Sequence, residues 1–93
     1  MQMSKAHTLQ LLVEVMTRHG AASESALQQA LGRAEARAGL GRTNLIDEDQ
    51  LNTLLLALAS EGGRIQQVAE TIASWRAEST DIARDDALES AAY

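Results

Sequence analysis

Apolar residues recur at helical spacing in four separate stretches of the chain. In the first, Leu9, Leu12, Val13 and Met16 follow an i, i+3, i+4, i+7 pattern, which predicts a helix from about Ser4 to Arg18. Gly20 stops it, and Arg18 and His19 suit the negative end of a helix dipole. The second stripe is Ala26, Leu27, Ala30, Leu31, Ala34 and Ala38, which predicts a helix over 24–38 with Ser23 as its N-cap. Its alanines let a neighbouring helix approach closely. Gly39 followed by Leu40 reads as a left-handed C-cap with its apolar follower.

The third stretch, "NLIDEDQLNTLLLALASEGG" over 44–63, begins with an acidic cluster. With Asp47 as N-cap, Gln50 falls at the third helical position and completes a capping box. Ile46 and Leu51 flank the cap as a hydrophobic staple. Glu48 and Asp49 lie in the first turn, where the positive end of the dipole favours them. The helix is predicted to run to about Glu61 and to end at Gly62-Gly63. The fourth, about Arg64 to Glu78, places Ile65, Val68, Ile72 and Trp75 on one face. Beyond it Thr80 suits the cap of a last short helix, in a segment with few residues to bury. The expected division is a helical domain over 1–78 and an acidic C-terminal tail or short terminal helix over 79–93.

The stretches "LQLLVEVMTRHG" (9–20) and "LNTLLLALASEG" (51–62) share leucines at matched places and a closing glycine. Each is followed by a Gln-Gln pair among apolar residues, "LQQAL" and "IQQVA". The fold class predicted is therefore all-α, a compact bundle of about four short helices arranged as two helical hairpins. Composition agrees, because 93 residues with no proline and few aromatics favour helix over sheet.

Helix three is apolar on more than one face. Leu51, Leu54, Leu55 and Leu58 form one stripe, and Leu56 extends it round the cylinder. A helix apolar all round requires burial on all sides, and a chain this short has little with which to cover it. The expected partner or dimer interface is therefore drawn from Leu51, Leu54, Leu55, Leu56 and Leu58 on helix three, and Ile65, Val68, Ile72 and Trp75 on helix four.

Chemistry narrows the reading by exclusion. The chain has no cysteine, so neither a disulfide nor a thiolate metal site is available. His7 and His19 lie at opposite ends of one predicted helix and do not converge on a metal within it. The fragment "NLIDEDQL" resembles the second half of an EF-hand. With Ile46 at the eighth loop position, however, Gly39, Gly41 and Thr43 fall where oxygen ligands belong, and Gln50 falls where a bidentate glutamate is needed. "GLGRTN" (39–44) is similar to a phosphate loop in its glycines, but it follows a helix and lacks the Gly-Lys-Ser/Thr ending. No catalytic, metal or cofactor-binding residue is assigned, and no enzyme activity is expected.

Residues 54–84, "LLLALASEGGRIQQVAETIASWRAESTDIAR", resemble the opening of a winged helix-turn-helix domain. The resemblance covers about a third of the chain. It implies a DNA-binding transcriptional regulator whose recognition helix spans Thr80–Glu89. That helix carries Asp81, Asp85, Asp86 and Glu89 against a single Arg84, and phosphate would repel it.

The charge balance points the same way. Net charge is −5, with a net of +2 over residues 1–46 and −7 over 47–93. The longest apolar run, 54–59, falls far short of the roughly 20 residues of a membrane span. The N-terminus lacks the parts of a signal peptide, so a cytoplasmic location is expected. The functional expectation is a small acidic helical protein that acts by binding another protein, as a regulator or inhibitor of the anti-activator kind, with a homodimer also expected. The alternatives are the DNA-binding regulator above, with nucleic acid disfavoured by charge, and an accessory subunit of a larger complex.

Overall fold

The computed structural model describes residues 2–76. In chain order the elements are β1 (Met3–Ser4), α1 (Lys5–Arg18), α2 (Glu24–Arg37), β2 (Leu45–Ile46) and α3 (Glu48–Ala59). A fourth helix, α4, covers 63–76. The architecture is predominantly helical, as the periodicity predicts. The expected boundary at residue 78, the tail over 79–93 and the cap at Thr80 lie outside the described residues.

The helix ends follow from local chemistry. The Ser4 hydroxyl accepts from the His7 amide, and the Ser23 hydroxyl from that of Ala26, so each satisfies a first-turn donor that has no helical partner. The capping box on α3 is complete: the Gln50 amide donates to Asp47 Oδ1 at 2.8 Å, and the Asp47 amide donates to Gln50 Oε1 at 2.8 Å. At the end of α2 the Leu40 amide reaches the Glu35 carbonyl and the Gly39 amide reaches that of Ala36, with Gly39 at φ +73°. This is a Schellman motif, and Leu40 is buried behind it. The same pair of bonds closes α1 through Gly20 and Ala21.

Among the described residues the core is a single cluster. Its fully buried large side chains are Met16, Leu27, Ile46, Leu54, Leu55 and Leu58. Ala30 and Ala34 meet it on the small-residue face of α2, which packs on both α1 and α3. From α4 come Val68, Ala69 and Ile72. The buried Thr8 hydroxyl is satisfied by donating to the Ser4 carbonyl at 2.8 Å. Ile46 and Leu51, the expected staple, both belong to this cluster.

Composition argued against strands, yet a minimal sheet is present. β1 and β2 pair antiparallel, Met3 opposite Ile46 and Ser4 opposite Leu45. Both segments are extended where the chain approaches an N-cap, and the pairing satisfies backbone groups that the helices leave free. Lys5 extends the junction. Its amide donates to the Asn44 carbonyl, and its Nζ donates to the Leu40 carbonyl at 2.9 Å and pairs with Glu35 at 3.1 Å. Each hairpin thus consists of a short strand, a helix, a glycine turn and a second helix, and the two hairpins are joined through their strands.

Candidate functional site

The expected interface residues divide by burial. Leu51, Leu54, Leu55 and Leu58 lie inside the chain's own core, as do Val68 and Ile72, while Ile65 is half-buried against it. Leu56 and Trp75 remain in solvent, 70% and 46% exposed. The apolar excess on α3 is therefore largely used within the monomer. Surface available to a partner from that set reduces to Leu56, Trp75 and the edge of Ile65.

Trp75 borders a small cleft of 220 Å³ lined by His19, Arg64, Gln67, Val68 and Thr71. Its ring lies 5.4 Å from that of His19, tilted by 59°, within the range of an edge-on aromatic contact. Arg64 donates to the His19 carbonyl at 3.3 Å, so it ties the start of α4 to the end of α1.

A larger concavity, 640 Å³, opens between α1 and α2. Leu9, Val13 and Leu31 form its apolar floor. One wall is Gln10, Glu14, Thr17 and Arg18 on α1, and the other is Glu24, Gln28 and Glu35 on α2. Leu31 is buried, whereas Leu9 and Val13 are only partly covered. Its size lies within the roughly 300–1,000 Å³ typical of ligand clefts. Sequence reasoning assigned Leu9 and Val13 to the core stripe, because periodicity marks an apolar face without showing how much of it is covered. The available signal was Gln10 and Glu14, one position beyond Leu9 and Val13, which mark the edge of that stripe.

Two arginines of α2, Arg33 and Arg37, are engaged by a single carboxylate. Glu61, just beyond α3, accepts from Arg33 Nη2 at 2.6 Å and is also paired with Arg37. Its carboxyl is held below the usual carboxylate range by hydrogen bonding from Arg33, against the opposing effect of burial, with Arg37 adding to the shift. The positive charge of Arg33 and Arg37 is thus partly neutralised within the fold. A carboxylate with a depressed folded pKa adds stability above its unfolded pKa and loses it as pH falls through the folded value. Glu61→Gln is therefore expected to lower the urea midpoint at neutral pH, with the difference from the parent protein shrinking as pH drops below about 4. A difference unchanged down to about pH 2 would contradict this role.

No group of three or more histidine or acidic side chains among the described residues is arranged to hold a metal ion. No helix among them is long and apolar enough to cross a membrane. Within the stretch that carries the helix-turn-helix resemblance, α4 is continuous over 63–76. The expected recognition helix lies outside the described residues. In comparisons with known proteins, no family model, no curated protein and no solved structure matches the chain.

Proposed function

We propose that this chain acts by binding another protein, as a regulator or inhibitor that sequesters its target, and carries out no catalysis of its own. The observation that supports this reading is the apolar surface left outside a well-filled core. Leu56 lies in solvent in the middle of a helix whose other leucines are buried, and Trp75, a residue type favoured at binding hot spots, is half in solvent on α4. The acidic balance of the chain and the Arg33–Glu61–Arg37 cluster weigh against a nucleic-acid partner.

The test is capture from nuclease-treated lysate with the tagged full chain, comparing the parent protein with Leu56→Glu and Trp75→Ala. The parent protein is expected to retain a protein in stoichiometric amount, and at least one variant is expected to lose it while keeping the parent's helical circular dichroism. Recovery that disappears with nuclease would overturn the reading in favour of nucleic acid. Elution of the parent protein as a dimer that Leu56→Glu converts to monomer would assign that leucine to self-association.

A further inference from the structure

We infer that the groove between α1 and α2 is the docking site for a basic amphipathic helix of a partner protein. This rests on the protein-binding reading and names a surface separate from Leu56 and Trp75. Three observations carry it.

The first is shape. The groove runs from Leu9 to Arg18 on one wall and from Glu24 to Glu35 on the other. At about 1.5 Å per residue that is about 15 Å, the length of roughly three helical turns. A floor of Leu9, Val13 and Leu31 between two helices suits a third helix that presents apolar residues at i, i+4 and i+7.

The second comes from comparing the two hairpins. In the matched stretches, Leu9 and Val13 correspond to Leu51 and Leu55. The second hairpin buries both of its residues, and α2 packs on α3. The first hairpin leaves the equivalent pair only partly buried. A helix laid in the α1–α2 groove would complete for α1 the cover that the fold already supplies for α3.

The third is charge. The rim holds three carboxylates, Glu14, Glu24 and Glu35, against one guanidinium, Arg18. Glu35 is answered by Lys5, but Glu14 and Glu24 take no salt bridge among the described residues. Residues 77–93 of this chain carry Glu78, Asp81, Asp85, Asp86 and Glu89 against Arg84, so this rim repels them. A second copy, at net −5, meets the same opposition. Lysines or arginines flanking an apolar stripe match the rim.

The probe is a pair of synthetic helices of about sixteen residues, identical in their leucine stripe, one flanked by lysine and the other by glutamate. Each is titrated into the ¹⁵N-labelled full chain. The lysine peptide is expected to shift the amides of Leu9, Val13, Gln28 and Leu31, and to bind at least about tenfold more tightly than the glutamate peptide at low salt. Gln28→Trp fills the groove from an exposed position, and it is expected to weaken binding by at least about tenfold. The double variant Glu14→Lys, Glu24→Lys is expected to remove the preference for lysine. Unchanged helicity and thermal midpoint verify that both variants are folded.

Shifts centred on His19 and Trp75, equal affinity for the two peptides, or no shift at millimolar peptide would each overturn the inference. The same variants separate the two proposals in the lysate experiment. A partner retained by Gln28→Trp but lost by Leu56→Glu sinks the groove and leaves the protein-binding reading standing. A groove that binds the lysine peptide, in a chain that retains no protein from lysate, does the reverse.

Discussion

Leu54→Ala is expected to lower stability by about 3 kcal/mol, whereas Leu56→Ala, two residues away on the same helix, is expected to change it by less than about 0.5 kcal/mol. Leu54 is fully buried in the core cluster, and Leu56 stands largely in solvent. Truncating Leu54 removes contacts that surrounding side chains cannot rebuild, and leaves a cavity in the core cluster to which Met16, Leu27 and Leu58 also belong. A domain of this size holds only about 5–10 kcal/mol in total, so the loss should bring the thermal midpoint down by about 15 °C. Thermal unfolding followed at 222 nm measures both variants under one set of conditions. Comparable losses at the two positions would mean that Leu56 is buried in solution, as it would be inside a dimer.

The second large effect has opposite signs at two glycines. Gly32 lies in the interior of α2 on its exposed side, with open space where a Cβ would stand. Gly32→Ala is expected to stabilise by about 0.5–1 kcal/mol, because alanine loses less backbone entropy on folding and nothing has to move. Gly39 has equally open space, but at φ +73°. Gly39→Ala is expected to destabilise by about 1–2 kcal/mol, the cost of holding an L-residue in the left-handed region. Replacement by valine should cost more, and by asparagine less. Since neither site is crowded, the difference isolates backbone conformation from packing. Urea midpoints at constant m-value provide the measurement. Destabilisation at Gly32, or none at Gly39, would contradict the assigned geometry of α2 and its C-cap.

What was legible in the sequence was local. The capping box at Asp47 and Gln50, the serine cap at Ser23 and the glycine C-caps depend on residues within one or two turns of each other, so spacing alone identifies them. The stripe of α3 was legible as apolar, and Leu56 as lying off its main line. What was not legible depends on long-range closure. Nothing near Met3 announces that it pairs with Ile46, and nothing near Arg33 points to Glu61. The groove was missed for the same reason. Leu9 and Val13 have the periodicity of core residues, and only the placement of α2 decides how much of them is covered.

The strand pairing also has a consequence for hydrogen exchange. Because Met3, Ser4 and Lys5, the first residue of α1, are fastened to residues 40–46, the first hairpin forms a closed ring rather than an open arm. Unwinding the first turn of α1 must release the β2 segment, and freeing β2 strips support from the start of α1. Amides on the two sides of the ring, some forty residues apart in sequence, should therefore lose protection together and with the same denaturant dependence, as a single cooperative unit.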